Sequence, residues 1–507
     1  MAINKPMQRL RTTVALAFVL GALSVLSFAP FEAFPLLWLT SAGLYVLLCR
    51  VAELPLAGRR SALLGGAFGL GLFLAGVYWL FISMHTYGGM PALVAALLTL
   101  LFCAYLALYP ALAAWTFVRF APESRWSRGL LFAACLTLAD QLRAWVFTGF
   151  PWLTLGYSQT TPSPLAGYLP VLGVFGATFA TALIGALIGE VIQAYHWQQR
   201  LAGAIWAGLV LIVGALLGQI SWTTPVGAPL SVALLQGNIA QDLKWQPERF
   251  SETLAIYYRL ARDNPAQLTV MPETAFPTFF EYLPGEYVEA LNTLATREQG
   301  NVLLGAVVGD NQRYANGAIS LGHNPQQRYR KHHLVPFGEF IPPGFSWFLR
   351  LANIPMSSFA AGDNKQPPLS LSGQRVAVNI CYEDTFGDEL IQSVPDATIL
   401  VNLSNIAWFG DSLAPAQHAQ IARVRALESG RMMLRATNTG VTAIIDRDGT
   451  LRAALPAFTR GALSGTVQGY TGLTPFVRTG SWPVAIASIL VVGFLAFSRR
   501  ALNRHAT

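Results

Sequence analysis

A bundle of about eight transmembrane helices joined to an α/β domain outside the membrane is the architecture that the sequence predicts, and three observations carry it. The 507 residues are 53% hydrophobic and only 12% charged, a balance typical of membrane proteins and ample for more than one domain. The apolar runs are unevenly placed, with seven before Trp222 and one near the C-terminus. Between them, residues 223–480 alternate strand-like and helix-like segments, the pattern of an α/β domain.

Crossing about 30 Å of hydrocarbon takes roughly 20 mostly apolar residues. Runs approaching this length fall at about 12–28, 35–49, 61–84, 91–118, 129–147, 165–194, 202–220 and 482–498. The second is short and interrupted, which makes seven spans the competing count. Lys5, Arg9 and Arg11 precede the first run; Arg50, Arg59 and Arg60 fill the second connection, Arg119, Arg125 and Arg128 the fourth, Arg200 the sixth, and Arg499, Arg500 and Arg504 the tail. The alternate connections FAPFEAFP, MHTYGGMP and FTGFPWLTLGYSQTTPSP contain no Lys or Arg. By the positive-inside rule both termini are cytoplasmic, residues 223–480 lie outside, and the number of spans is even. A cleavable signal peptide would also begin with basic and then apolar residues, but no small-residue cleavage site follows and more spans do, so an uncleaved anchor is expected. The expected division is 1–222 as a membrane domain of seven helices, 223–480 as the exported domain, and 481–507 as a last helix with a cytoplasmic tail.

This topology explains the net charge of +8. Residues 223–480 hold twenty Lys and Arg against twenty-one Asp and Glu, whereas the remainder holds fourteen against five. The excess sits beside the membrane, which argues against a nucleic-acid partner. Within the exported domain, strands are expected at Ser231–Asn238, Asn301–Val308, Thr398–Leu403 and Val441–Asp446, and helices at Glu248–Asp263, Gly285–Glu298 and Pro415–Glu428. That alternation does not by itself choose between a two-sheet sandwich and a Rossmann-like sheet.

Of the four cysteines, Cys49, Cys103 and Cys135 fall in apolar runs, where Cys acts as a small hydrophobe. Cys381 stands alone in the exported domain, in VNICYEDTF, with no thiol partner for a disulfide. By number alone, a buried inert thiol is the simpler reading. Its surroundings argue for a nucleophile. Arg375 to Ile380 reads as a strand, and TFGDELIQSVPD begins as a helix with Thr385 as its N-cap. A residue at such a turn is held exposed beside backbone N–H groups that can form an oxyanion hole. Glu383 and Asp384 oppose ionisation of the thiol, so an activating cation must come from elsewhere. In QLTVMPETAFP a strand from Leu268 to Met271 delivers Glu273, and RYRKHHLVPFGEF supplies Lys331 with Glu339 eight residues on. An ammonium about 4 Å from a thiolate gains up to about 4 kcal/mol at an effective dielectric near 20, enough to offset the carboxylates and lower the thiol's pKa.

Glu273 in VMPETAFP, Lys331 in YRKHHLVPFGE and Cys381 in VNICYED resemble the Glu-Lys-Cys triad of the nitrilase, or carbon-nitrogen hydrolase, superfamily, over about residues 229–468. Preceded by seven spans and followed by one, the domain resembles specifically the apolipoprotein N-acyltransferase family, whose motifs are similar to LLQGNIAQDLKW, TGFPWL, HLVPFGEFIPP, NLSNIAWFGDS and RALESGRMMLRATNTG. The resemblance implies a nitrilase-like four-layer α-β-β-α sandwich on the periplasmic side of a bacterial inner membrane. It implies transfer of an acyl chain from a phospholipid, typically the sn-1 chain of phosphatidylethanolamine, to the α-amino group of a diacylglyceryl-cysteine at a lipoprotein's N-terminus, with no nucleotide, cofactor or metal. Glu273 would be the base, Cys381 the nucleophile that carries a thioester, and Lys331 the oxyanion partner. Glu339, Glu383 and Tyr382 would support them, and for Glu383 a cap on the following helix is an equal alternative. Asp384 is expected to be a cap or a solvated charge.

Other residues carry weaker signals. Lys331-His332-His333 suggests a metal, but neighbours on a strand point to opposite faces and no further ligand completes a site. His418, on a helix, is expected to be structural. Phe345, Trp347 and Phe348 lie in a stretch too apolar for a loop facing water, so they are either domain core or an arm touching bilayer or acyl chain, and adjacent Glu339 favours the arm. Trp245, Trp408 and Phe409 are candidates for a lipid-facing rim. Asp140 and Arg143 share a helical face, first as an ion pair inside the bundle and second with Arg143 on a phospholipid headgroup. Glu190 is expected at the cytoplasmic interface. A monomer is the default. Two rivals remain: a membrane-tethered amidase, disfavoured by more spans than a tether needs, and a lipid-binding module with a dead domain, disfavoured by the intact triad.

Overall fold

The computed structural model describes residues 4–309, 313–342, 344 and 358–505. Phe345, Trp347 and Phe348 lie outside the described residues. The chain divides into two compact units, one of Met1–Tyr78, Ala96–Ile220 and Thr479–Thr507, the other of Trp79–Ala95 and Ser221–Arg478.

The first unit is helical. Among the described residues its long helices are Asn4–Ser24, Phe34–Ala52, Ala57–Gly76, Ala92–Phe120, Arg125–Arg143, Leu169–Gln193, Trp197–Leu217 and Trp482–His505. They follow the eight apolar runs of the sequence. Six are long and apolar enough to cross a membrane, or seven if Ala57–Gly76 and Trp79–Tyr87, bent by 50°, make one span. Arg125–Arg143 falls short of the expected eighth because Arg125, Arg128, Asp140 and Arg143 interrupt its apolar surface. Those charges are absorbed internally. Glu190, expected at the interface, is only 6% exposed, hydrogen-bonds Tyr45 and lies 3.7 Å from Arg125 and 3.8 Å from Arg128. On Trp197–Leu217 the exposed residues Leu201, Ile205, Leu209, Ile212 and Leu216 form one helical stripe, the surface a hydrocarbon solvent accepts.

Among the described residues the second unit contains two six-stranded sheets. Its strands are β1 (Thr224–Gln236), β2 (Leu268–Val270), β3 (Asn301–Gly309), β4 (Tyr314–Gly322), β5 (Arg328–Arg330), β6 (Leu369–Leu371), β7 (Gln374–Ile380), β8 (Ile399–Ser404), β9 (Met433–Thr437), β10 (Thr442–Ile445), β11 (Leu451–Leu455) and β12 (Gly461–Thr471). The sheet orders are β12-β1-β2-β3-β4-β5 and β11-β10-β9-β8-β7-β6. Period-two alternation builds the layers. Val232 and Leu234 of β1 pack with Val378, Ile380, Val401 and Leu403 between the sheets. Their neighbours Ala233 and Leu235 face Ile256, Tyr257 and Leu291 of the helices Phe250–Asp263 and Gly285–Arg297. On the far side, Ala377, Leu400 and Met433 pack on Ala422 and Ala426 of the helix Ala414–Ser429. The result is the α-β-β-α sandwich rather than a Rossmann-like sheet.

The helix expected after CYED is a correction. Cys381–Thr385 is a 3-10 turn, and the α-helix that follows, Gly387–Leu390, has four residues. Thr385 does not cap it; its hydroxyl donates back to Tyr382 O at 2.7 Å.

Candidate active site

Strand ends from both sheets supply the polar groups. Beyond β2 the chain runs on along β3, with Met271 N–H donating to Leu303 O (2.8 Å) and Ala275 N–H to Gly305 O (3.0 Å). Gly305 makes the approach possible: a Cβ there would lie 2.6 Å from Glu273 Cα and 2.5 Å from Pro272 O. Glu273 is thereby buried, its Oε1 accepting from Asn316 Nδ2 of β4 (2.7 Å) and its Oε2 from the Asn405 N–H beyond β8 (2.7 Å).

Lys331 follows β5, held by its N–H on Asn316 O (2.8 Å), and is 1% exposed. Its Nζ lies 2.9 Å from Glu339 and 3.6 Å from Glu273. Burial opposes the ammonium, but Glu339 and then Glu273 outweigh it and hold Lys331 above its ordinary pKa. Lys331 is thereby held as an ammonium. Glu339 is fixed in turn by Asn316 Nδ2 (2.8 Å) and the Val335 N–H (2.8 Å).

Cys381 directly follows β7 with φ +53°, a left-handed conformation that a non-glycine residue adopts only where its surroundings impose it. Glu383 is one of those constraints. Its carboxylate accepts from the N–H groups of Ile380 (2.6 Å), His332 (2.6 Å) and His333 (3.2 Å) and from Tyr329 OH (3.0 Å). It therefore ties the nucleophile turn to the segment carrying Lys331, and it does not cap the following helix. Tyr382 is buried edge-on to Phe386 and His333.

The thiol differs from expectation. Burial pushes Cys381 well above its ordinary pKa, Glu273, Glu339 and Asp384 add to the rise, and Lys331 opposes it without prevailing. Reasoning from sequence counted the cation and omitted the cost of removing a thiolate from water. Such a thiol rests neutral, and as a nucleophile it would have to pass its proton to a base as the sulfur attacks.

Burial also raises Glu383, to about 7, against Lys331 and its backbone donors. All its partners donate, so the working form is the carboxylate. Protonation below about 7 would set an O–H against a donor, and acylation of Cys381 is expected to fall as pH drops through that value. Glu383→Gln, which makes the same conflict permanent, is expected to slow acylation about 10²-fold, since hydrogen bonds to a charged group contribute about 1.5–3 kcal/mol each. Single-turnover labelling of Cys381 across acid to neutral pH checks both; a pH-independent rate, or a wild-type rate in Glu383→Gln, would refute this role.

Several groups escaped the sequence reading. Asn316, bridging Glu273 and Glu339, shows in sequence only as a polar residue within a buried strand pattern. Lys244, 3% exposed, reaches the Glu273 carbonyl oxygen at 3.5 Å. Asp384, expected to be a cap or solvated, is fully buried on Arg435 (3.1 Å) and His418 (2.8 Å). His418 Nε2, facing two acceptors, donates also to Cys381 O at 3.2 Å. Of the proposed lipid contacts, Trp245 is half-buried, and its indole N–H has no partner among the described residues. Trp408 and Phe409 are seated against Tyr87 and Trp79, at 6.4 and 4.4 Å between ring centroids. Arg143 is 1% exposed and donates to Phe150 O, Trp152 O (2.7 Å), Asp140 (2.8 Å) and Thr154 (3.2 Å), which favours the ion pair over headgroup contact.

Comparison with known proteins covers both units. The model of the apolipoprotein N-acyltransferase N-terminal domain matches residues 20–187, and that of carbon-nitrogen hydrolases matches 231–476. An apolipoprotein N-acyltransferase of Ralstonia nicotianae is 48% identical over 512 residues, covering 99% of this chain and 96% of the relative. One of Nitrosomonas europaea is 47% identical over 493 residues, covering 96% and 97%. Among solved structures, a carbon-nitrogen hydrolase superfamily protein of Xanthomonas campestris is 17% identical with a TM-score of 0.35, covering 48% of this chain and 91% of that one. Because relatives 47–48% identical cover nearly the whole chain, helical and α/β parts included, the chain belongs to the apolipoprotein N-acyltransferase family, membrane N-acyltransferases of the carbon-nitrogen hydrolase superfamily.

Proposed function

We propose that this enzyme takes an acyl chain from a phospholipid, holds it as a thioester on Cys381, and passes it to the α-amino group of the diacylglyceryl-cysteine that begins a lipoprotein. The observation that carries this reading is Lys331 fixed between Glu273 and Glu339 and interacting electrostatically with the thiol of Cys381, which sits on a strained turn. Glu273 takes the thiol proton as sulfur attacks the ester carbonyl; Lys331 stabilises the oxyanion; collapse expels the lysophospholipid alkoxide, which recovers the proton from Glu273. The acceptor amine then attacks the thioester, giving an amide and restoring the thiol in ping-pong order. The sn-1 chain of phosphatidylethanolamine is the expected donor.

Residues 223–480 would carry out this chemistry on the periplasmic side, with 1–222 and 481–507 in the inner membrane and both termini cytoplasmic. The alternation of cation-rich and cation-free connections supports that orientation. Trp245 would lie toward the lipid, where an indole suits a boundary between apolar and wet surroundings.

Intact-protein mass spectrometry of the detergent-purified enzyme after incubation with phosphatidylethanolamine tests the proposal. A fatty-acyl increment mapping to the peptide with Cys381, and removed by a diacylated lipopeptide with a free amine, is expected. Release of free fatty acid or ammonia without that increment would instead indicate a tethered amidase.

A further inference from the structure

Two lysines are buried at this site in opposite circumstances. Lys331 has two carboxylates within 3.6 Å. Lys244 has no ion-pair partner among the described residues, and its one hydrogen bond there is the 3.5 Å contact with the Glu273 carbonyl oxygen. The loop that carries it is firmly placed. Asn238 N–H donates to Asn438 O (2.9 Å), Ile239 N–H to Asn438 Oδ1 (2.9 Å), and Asn405 Nδ2 to Gln241 Oε1 (3.0 Å). Asn405 is also the residue whose N–H holds Glu273. The site thus sets a nearly solvent-free amine against the backbone of Glu273 and leaves most of its donors unsatisfied among the described residues, a costly arrangement for a structural ammonium.

The proposed reaction, on which this inference rests, has a proton to place. Ester cleavage by Cys381 is proton-neutral, since the thiol proton returns to the leaving alkoxide. Amide formation is not. An α-amino group has an ordinary pKa of about 7.7–8.0 and reaches the site largely as ammonium. It must lose one proton to become a nucleophile and a second as the amide forms. Glu273 accepts only one of these, which it returns to the departing thiolate. We propose that Lys244 is the second base, taking from the acceptor's α-ammonium the proton that must leave before its nitrogen can attack the Cys381 thioester. Neutral Lys244 becomes ammonium, the C–N bond forms, Glu273 takes the second proton, the C–S bond breaks and the sulfur is reprotonated. Lys244 then releases its proton to water as product departs, so that thioester plus ammonium yields amide, thiol and one proton.

The electrostatics are compatible with this. Burial lowers Lys244 to about 8 against the opposing pull of Glu273 and Cys381, the titratable groups that act on it, so the amine and its conjugate acid exchange near the pKa of the substrate.

Two variants separate a base from a fixed charge. Lys244→Met removes both, whereas Lys244→Arg keeps a cation that does not deprotonate in proteins. Thioester formation from phosphatidylethanolamine and thioester discharge by a diacylated lipopeptide are measured separately, by single-turnover mass spectrometry. Both variants are expected to slow discharge about 10²-fold relative to any effect on thioester formation, the usual contribution of one positioned base. The deficit should shrink as pH rises through the lipopeptide's amine pKa. Discharge by hydroxylamine, neutral at neutral pH, should show no such deficit. Wild-type discharge in Lys244→Arg, or equal losses in both half-reactions, would overturn the second-base role alone. Failure of the wild type to transfer to the lipopeptide would overturn the transferase reading with it.

Discussion

Cys381→Ala is expected to lose acyl transfer by at least about 10⁴-fold, because removing the nucleophile from a covalent mechanism leaves only binding and polarisation of the ester. The variant should still fold: Cys381 is partly exposed at the end of β7, and alanine omits one sulfur without stranding a polar partner. Phospholipid binding is therefore expected to survive while the acyl-enzyme mass disappears. Cys381→Ser sharpens the test. It retains a nucleophilic atom on the same φ +53° turn, but an alkoxide is harder to form than a thiolate and an oxyester resists aminolysis. Any adduct that forms on Ser should accumulate and resist the lipopeptide. Transfer by Cys381→Ala within tenfold of wild type would eliminate the thioester mechanism.

How much of this site was legible in the sequence depended on how local each cause was. Glu273, Lys331 and Cys381 lie at or just beyond strand ends whose apolar alternation is visible in a few residues, and the two-sided burial of β1 follows from the same pattern. The helical runs were equally plain, since each is a local property of composition. What failed to show were contacts across the fold. For Glu383 a supporting role and a helix cap are equal readings of the sequence, because its donors His332 and His333 lie about fifty residues earlier and only the fold brings them to it. The thiol looked activated because a cation was near in the motif, while burial, a property of the whole sandwich, dominated. On Arg125–Arg143 the Asp140–Arg143 pair is legible from its spacing, whereas Glu190, the partner of Arg125 and Arg128, lies on another helix.

Asp384 was misread for the same reason, and its partners imply a large effect on stability. The fully buried pair with Arg435 does more than neutralise itself. Arg435 donates to Asn402 Oδ1 (2.8 Å), and Asn402 Nδ2 in turn donates to Cys381 O (3.3 Å). Asp384 holds His418, whose Nε2 reaches the same Cys381 carbonyl. Two side chains anchored on one ion pair thus grip the backbone carbonyl of Cys381 on its φ +53° turn. Burial lowers His418 below its ordinary pKa and keeps the imidazole neutral, so it serves here as a hydrogen-bond donor and not as a second cation. Asp384→Ala would leave a guanidinium in the core with Asn402 as its remaining acceptor among the described residues. Breaking one partner of a buried pair costs about 3–5 kcal/mol, which should lower the thermal midpoint in detergent and shorten the half-life of inactivation. Replacing both, as Asp384→Leu with Arg435→Met, removes the stranded charge and should recover more than half of that loss. The double variant should nonetheless remain slow in forming the thioester, because the ion pair then no longer holds His418 and Asn402 against Cys381 O. Stability restored together with full acylation would mean that the elbow holds its conformation unaided; a loss below about 1 kcal/mol in Asp384→Ala would mean that water reaches Arg435 and the pair is not buried in solution.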